Sequence, residues 1–253
     1  MATLLTLNVS NPPKARAEAL LHWLWPRDED VWVLTEVGTG AGSSLLVSVC
    51  RAAGFDVHVT DRSDLGVLTV SRAGSLAEAP VESPAVLPGR VDSLVWQPNS
   101  HTKTSGVELR LLAAYGAASD PVRYSSKAQR ERKRQWLAAY DDALGEWVGR
   151  GPRGVVIGDL NLVDPVHDDE LKFVLPEETQ AYAALSERHG LVDAFRVHHD
   201  DAQVSWVDHT GVGCRYDHAF VTKDLTVTAC DLVHEPRLDD LTDHSALTLT
   251  VAA

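Results

Sequence analysis

Basic residues are scarce in this sequence. Among 253 residues there are 23 Lys or Arg against 36 Asp or Glu, a formal net charge of −13. That balance excludes a chain-wide attraction for nucleic acid or anionic lipid, but not a local basic track. Cysteine is rarer: Cys50, Cys214 and Cys230 are odd in number and lack metal-ligand spacing. They predict buried thiols and a reducing compartment. There is no low-complexity tract, no internal repeat and no apolar run long enough to span a bilayer. Met1 to Lys14 lacks a basic stretch followed by an apolar one, so no signal peptide is expected, and the expected setting is cytoplasmic with no membrane partner. Hydrophobic residues make up 44% of the chain, enough for a sizeable core. No linker stands out, so residues 1–253 read as a single domain, and the oligomeric state stays open, a monomer included.

What is present centres on Val155-Val156-Ile157-Gly158-Asp159-Leu160-Asn161. A β-branched apolar run ending in glycine reads as a buried strand. Residues two apart on an extended chain point the same way, so Asp159 and Asn161 can reach one pocket. A carboxylate serves as base or metal ligand, and a carboxamide donates to a phosphate oxygen without adding charge. By itself the stretch also reads as a strand followed by an Asx turn.

Similar strand ends recur along the chain. Leu4 to Val9 and Val31 to Val37 read as strands carrying Asn8 and Glu36 near their ends. Glu36 is either a solvent-facing edge residue or a carboxylate that needs a cation. Phe55 to Thr60 and Leu65 to Ser71 suit a strand pair, the Pro- and Gly-containing residues 73–90 suit a loop, and Val91 to Gln97 and Val107 to Tyr115 suit strands. Short strands are also expected at 204–207, 225–233 and 246–251, with the run Arg215 to Val221 between the first two and Asp243-His244 before the last. Lys14 to Trp25, Ser43 to Ala53, Ser125 to Val148 and Pro176 to His189 carry apolar residues at helical spacing or helix-start signals. The third helix opens with Lys127, Arg130, Arg132, Lys133 and Arg134, just after Arg123. Such a run is ordinarily a solvated helix face, but in a chain this acidic it is the one stretch suited to tracking a phosphate backbone. Strands that come both in runs and between helices predict two packed sheets, mostly antiparallel or mixed, with helices on the outer faces.

The polar strand-end residues form a set: Asn8, Glu36, Tyr115, Asp159, Asn161, Asp217, Asp243 and His244. Carboxylates suit a hard cation such as Mg²⁺ or Mn²⁺, and an Asp–His pair fixes an imidazolium. Together the residue types fit in-line attack of water on phosphorus. In that order the chain resembles the endonuclease/exonuclease/phosphatase superfamily, through Asn8, Leu34-Thr35-Glu36-Val37, Gly158-Asp159-Leu160-Asn161, Arg215-Tyr216-Asp217 and Asp243-His244. It is most similar to the exonuclease III and apurinic endonuclease branch, through Tyr115 followed by Lys127-Ala128-Gln129, and Leu175-Pro176-Glu177-Glu178 leading to Gly190-Leu191-Val192-Asp193-Ala194-Phe195-Arg196.

The resemblance implies a four-layer α/β sandwich and a hydrolase acting on phosphoester bonds with a divalent metal. Glu36 would be the main metal ligand, with Asn8 and Asp243 nearby. Asp159 would activate water beside Asn161, Asp217 would orient His244, and His244 and Tyr115 would contact the phosphate. Substrate contacts would fall to Arg123, Lys127, Arg130, Arg134, Trp206 and Arg215, with Trp206 either shaping a sugar pocket or packing in the core. The chain departs from the branch in three places. Tyr115 is followed by Gly116-Ala117-Ala118 and not Pro-Asn, Val207 replaces a second aromatic, and only residues 207–214 separate Trp206 from Arg215. The leading expectation is therefore a DNA nuclease of the DNA-repair type, either a 3′-exonuclease or an abasic-site endonuclease. A phosphoesterase of the same mechanism acting on a nucleotide or other small ester follows, and then a non-catalytic nucleic-acid-binding module.

Overall fold

A computed structural model describes residues 1–82, 84–99, 108–119, 126–167 and 174–253. In chain order its elements are β1 (Ala2–Asn8), α1 (Lys14–Leu24), β2 (Val31–Val37), α2 (Ala41–Ala52), β3 (Asp56–Val59), β4 (Gly66–Ser71), β5 (Gly74–Glu78), β6 (Val91–Pro98) and β7 (Leu109–Tyr115). There follow α3 (Ser126–Gly149), β8 (Gly154–Asp159), α4 (Pro176–Glu187), β9 (Val192–Asp193), β10 (Trp206–Val207), β11 (Gly213–Cys214), β12 (Asp217–Val221), β13 (Thr226–Val233), α5 (Glu235–Leu238) and β14 (Ala246–Ala252).

Two six-stranded sheets run in the orders β13-β14-β1-β2-β4-β3 and β5-β6-β7-β8-β12-β9. Side-chain alternation along single strands builds the layers. Leu4, Val31 and Val33 face Leu111, Ala113, Val155 and Ile157 in the core between the sheets. Leu5, Leu7, Trp32 and Leu34 point outward onto Leu20, Leu24, Leu46 and Val47 of α1 and α2. On the far side Leu112, Ala114, Val156 and Phe220 pack on Trp136, Tyr140, Leu144 and Tyr182 of α3 and α4. The result is the four-layer α/β sandwich that the sequence predicts.

Each sheet holds one parallel pair, β1 with β2 and β7 with β8. Open sheets with parallel strands place ligands beyond the strands' carboxyl ends. Asn8, Glu36, Tyr115 and Asp159 lie at the ends of these four strands.

Residues 73–90 are not all loop. Gly74–Glu78 forms an edge strand on β6, because backbone pairing there needs no apolar alternation of its own. The α4 helix starts as expected, with Pro176 in its first turn and Glu178 Oε1 accepting from Leu175 N at 2.9 Å. All three cysteines are free and buried. No helix of the described residues is long and apolar enough to cross a membrane.

Candidate active site

The carboxyl ends of both sheets open into a cleft of about 560 Å³, lined by Glu36, Tyr115, Asp159, Asn161, Trp206, Asp243 and His244 among others. Strand alternation aims most of these side chains. Asp159 follows Val155 and Ile157 on the inner face of β8, Tyr115 follows Leu111 and Ala113 on β7, and Asp217 precedes Ala219 and Val221 on β12. The β12–β8 register sets Asp217 opposite Asp159.

Glu36 breaks the alternation. Counting from Trp32 and Leu34, it should point outward toward α1 and α2. A register shift between Leu34 and Val37 and a φ of 56° at Glu36 turn it into the cleft instead. Bulges and left-handed backbone at a non-glycine residue are devices for re-aiming one side chain, held by the surrounding structure.

Hydrogen bonds join the set into one chain. Asn8 Nδ2 donates to Glu36 Oε1 at 3.1 Å and to Asp159 Oδ2 at 2.8 Å. The Tyr115 hydroxyl donates to Glu36 Oε1 at 2.8 Å. His244 Nδ1 lies 2.7 Å from Asp217 Oδ2, and its Nε2 lies 4.0 Å from Asp159 Oδ2. Ser205 Oγ accepts from the backbone N–H groups of Tyr216 and Asp217, both at 3.0 Å, and so fixes the start of β12. The expected Asx turn is also present. Asn161 N donates to Asp159 Oδ1 at 3.0 Å. The strand ends at Asp159 and Asn161 has φ 51°. The turn, not strand alternation, brings Asn161 beside Asp159, and Asn161 Nδ2 donates to Gly116 O at 3.2 Å.

The electrostatics are lopsided. Burial lifts Asp159 to about 7; His244 and the Asn8 hydrogen bond oppose this, while Asp217 and Glu36 add to it. Burial pulls His244 down, but the charge and hydrogen bond of Asp217, with help from Asp159 and Asp243, outweigh it and hold the imidazolium to about 10. Burial and the neighbouring Glu36 keep the Tyr115 hydroxyl protonated well above its ordinary range. Asp217 Oδ1 is buried and makes no hydrogen bond. Near neutrality a half-ionised acid therefore sits beside a permanent imidazolium.

Among the described residues no three His, Cys, Asp or Glu side chains converge as a closed metal cage. Asn8 acts here as a bridge between two carboxylates, its own Oδ1 accepting from Ser10 N at 2.8 Å. Asp243 is exposed at the rim, where Trp206 Nε1 donates to its Oδ2 at 3.0 Å. Trp206 is thus not a core aromatic but a half-buried wall of the cleft, on the short β10–β11 hairpin.

Arg215 does not reach the cleft. It is fully buried, with Nε on Asp164 Oδ2 at 2.7 Å, Nη2 on Asp193 Oδ2 at 2.6 Å and Tyr182 OH at 3.0 Å, and its guanidinium lies 4.8 Å over the Phe195 ring. It is a structural tie and not a substrate contact: two residues before Asp217, its side chain points under α4. Lys127, Arg130 and Arg134 are exposed on α3 outside the cleft, and Arg134 Nε is held by Glu177 at 2.7 Å. Arg123 lies outside the described residues. Lys133, part of the basic run, is buried against Glu178 at 2.8 Å and Asn161 O at 2.7 Å, fastening α3 to α4 and to the turn beyond the central strand. Cleft residues that the sequence did not single out as site residues include Asp64, Arg90, Gln129 and Arg132. The last two belonged to stretches already noted. Asp64 and Arg90 carry no local signal.

No family model matches the chain, and no curated protein matches it. Among solved structures it is similar to the 3′ phosphatase NExo from Neisseria bound to a product DNA hairpin, with TM-score 0.78, 20% identity and full coverage of both chains. It is also similar to the 3′-5′ exonuclease NExo from Neisseria meningitidis, with TM-score 0.77, 20% identity, and 99% of this chain and 100% of that one covered. An AP endonuclease from Archaeoglobus fulgidus matches with TM-score 0.76 and 19% identity over the whole of both chains. At such identities the likeness establishes the shared fold, end to end.

Proposed function

We propose that this chain is a divalent-metal-dependent phosphoesterase that hydrolyses phosphoester bonds in DNA, at 3′ ends or abasic sites. The observation that carries the reading is the excess of carboxylate at the cleft floor, where half-buried Glu36 adjoins buried Asp159 and Asp217. Glu36, Asp159 and Asp217, linked through Asn8 and His244, have one imidazolium among them. Unpaired buried carboxylates cost stability unless a cation offsets them. The donor set is all oxygen, as Mg²⁺ or Mn²⁺ prefers, and Mg²⁺ needs only one or two protein carboxylates because it keeps several waters. Glu36, with Asp243 and the remaining lone pair of Asn8 Oδ1, would hold it. When bound, such a cation neutralises the phosphate and the developing charge on the leaving oxygen.

The remaining roles belong to the side chains. Asp159, poised near neutrality, accepts the proton of the attacking water as the new P–O bond forms and the ester P–O bond breaks. Asn8 Nδ2 and Asn161 N hold its two oxygens in place. The His244 imidazolium, oriented by Asp217, donates from Nε2 to a non-bridging phosphate oxygen. Tyr115 and the Asn161 carboxamide supply neutral donors to the same group. Of the three solved structures one is bound to a product DNA hairpin and the other two are described as a 3′-5′ exonuclease and an AP endonuclease, and this supports DNA as the substrate class here.

A screen would test this: protein stripped with EDTA, then Mg²⁺ or Mn²⁺ restored, on duplex with an abasic site, duplex with a 3′-phosphate, single-stranded DNA, RNA and nucleotides. Hydrolysis of DNA only with the cation is expected. No turnover of any phosphoester with either cation would overturn the reading. For the metal site, Glu36→Gln should weaken Mg²⁺ binding in a calorimetric titration while leaving the fold intact; equal affinity would remove Glu36 from the site.

One feature favours a small phosphoester instead. The tight β10–β11 hairpin places Asp208 and His209 on the cleft wall, and Asp208 Oδ1 locks the turn by accepting from Thr210 N and Val212 N at 2.7 and 3.0 Å. Such a wall suits a substrate end more than a continuous duplex. The nucleotide arm of the same screen decides between the two.

A further inference from the structure

The inward face of α3 changes character along its length. Trp136, Leu137, Tyr140 and Leu144 make it apolar, but nearer the helix start the same face carries Gln129 and Lys133, both buried. These two reach the segments just beyond β7 and β8, the parallel strands that end at Tyr115 and Asp159. Gln129 Nε2 donates to Ala118 O at 2.7 Å. Lys133 Nζ donates to Ser119 Oγ and to Asn161 O, both at 2.7 Å, and pairs with Glu178 Oε2 of α4 at 2.8 Å.

A tie between α3 and α4 needs no ammonium. Burying one is costly, and a buried ion pair is often no more stabilising than apolar side chains of the same size. Further along the two helices, Leu144, Tyr182 and Leu185 share one apolar cluster. What sets Lys133 apart is the carbonyl it holds. Asn161 has φ 51°, a left-handed backbone that a residue with a Cβ keeps only where its surroundings impose it. On the cleft side Asn161 N donates to Asp159 Oδ1 at 3.0 Å, and Asn161 Nδ2 donates to Gly116 O at 3.2 Å. On the helix side Lys133 takes the carbonyl. The turn is closely packed as well: Gly116 N donates to Asp159 O at 2.7 Å, and a Cβ on Gly116 would lie 1.9 Å from Leu160 O.

We propose that Lys133 is a positioning residue for the cleft: by holding the Asn161 carbonyl it keeps the left-handed turn that aims the Asn161 carboxamide and fixes Asp159 Oδ1. Lys133 does not line the cleft, so it acts through Asn161. This role rests on the phosphoesterase reading for what Asp159 and Asn161 do, and on the contacts around Lys133 for how they are held. A hydrogen bond from a charged donor is shorter and stronger than one from a neutral donor, which suits an ammonium to a strained turn.

The test separates the two ends of the tie. Kinetics use the full chain with Mg²⁺ on whichever DNA substrate the wild type hydrolyses. Lys133→Met, similar in shape and uncharged, should lose at least about tenfold in kcat with KM nearly unchanged, the pattern of misplaced reacting groups. Glu178→Gln cuts the same ion pair but leaves the ammonium on Asn161 O, and should keep kcat within about threefold of the wild type. Thermal unfolding of both variants, with assays run well below the lower midpoint, keeps lost stability out of the comparison. A second readout needs no turnover. In EDTA, exchange of the Asn161 amide proton, followed by NMR, should quicken at least about tenfold relative to that of Val156 within β8 in Lys133→Met, and should hold in Glu178→Gln. If Lys133→Met does not fold, Lys133→Gln, polar but too short for the Asn161 carbonyl, serves in its place. Equal kcat losses in the two variants, near-normal kcat in Lys133→Met, or Asn161 exchange that moves only in step with Val156 would overturn the role. With a wild type that hydrolyses nothing, the exchange result decides, so failure of the phosphoesterase reading and failure of this one stay distinct.

Discussion

Two buried polar clusters flank β12, and they solve the problem of burying charge in opposite ways. Around Arg215 the charges balance: Arg215 and Arg196 face Asp164 and Asp193, with the Tyr182 hydroxyl between. Burial pushes both aspartates up, but Arg215 overrides it and both end below the ordinary carboxylate range. Around His244 the charges do not balance. Burial wins there, and Asp159 ends near 7. The two clusters share a strand: Asp217 points inward to the cleft while His218 points outward beneath Tyr182, with ring centroids 5.5 Å apart. Burial removes ionisation from His218 and drops it to about 4, so it has no part in the cleft. A balanced buried cluster holds a fold together. An unbalanced one is stable only with something further bound, and that is the physical signature of a site.

The comparison breaks most visibly under substitution. Arg215→Met should cost about 3–5 kcal/mol in denaturant unfolding, because it leaves buried Asp193 without its cation and Asp164 with Arg196 alone. Asp159→Asn should do the reverse. A carboxylate whose folded pKa lies above its unfolded one costs stability once charged, fully above about pH 7 and not at all below about pH 4. Asparagine should preserve or raise stability by up to roughly 1–4 kcal/mol above neutrality, an effect that fades as pH falls. Turnover should drop at least about a hundredfold, the scale of a lost general base. Destabilisation by Asp159→Asn at pH 8, or near-normal turnover at saturating cation, would erase the distinction between the clusters.

That distinction was only partly legible in the sequence. Asn8, Asp159, Asp217 and His244 could be read off because strand alternation and strand ends are local properties. Arg215 could not. It stands two residues before Asp217 in a matching motif, yet its contacts come from Asp164 and Asp193, 51 and 22 residues away in the chain. Glu36 was picked out by type and position, but the bulge that aims it exists only in the pairing of β2 with β4. The basic run on α3 read as one face, whereas the helix's packing buries Lys133, turns Arg132 to the cleft and leaves Lys127, Arg130 and Arg134 outside. Which side of a helix meets its neighbours is fixed by tertiary packing, and the composition of the run is the same either way.

A second, smaller test uses protons. Activity should rise through an acid limb near pH 7 as Asp159 ionises and fall through an alkaline limb near pH 10 as His244 loses its proton. A cation beside Asp159 favours its charged form, so raising Mg²⁺ should move the acid limb to lower pH and leave the alkaline limb in place. For stability the sign at His244 is opposite to that at Asp159. Its folded pKa is raised above the unfolded 6.5, so its contribution is complete below about 6.5 and is lost as pH rises through about 10. An acid limb insensitive to Mg²⁺ would mean that the cation does not sit against the unbalanced cluster.

The smallest effect concerns charges that belong to neither cluster. Lys127, Arg130 and Arg134 are spaced by three and four on α3 and share an exposed face. If a DNA backbone lies along it, each freely charged residue removed should lower the salt dependence of binding by roughly one unit of slope. The three are not equivalent. Arg134 is already held at 2.7 Å by Glu177, so its charge is partly spent, and the triple alanine variant should lose about two units and not three. Arg134→Ala alone should change the slope least, and Glu177→Gln should raise it by freeing the guanidinium. Hydrolysis of a nucleotide-sized ester, held within the cleft, should barely change in any of these variants. These residues lie off the apolar stripe of α3, so stability should hold as well. Should the triple variant cut long DNA as well as the parent at both low and physiological salt, the backbone track on α3 would be lost, and the small phosphoester would become the better reading of the cleft.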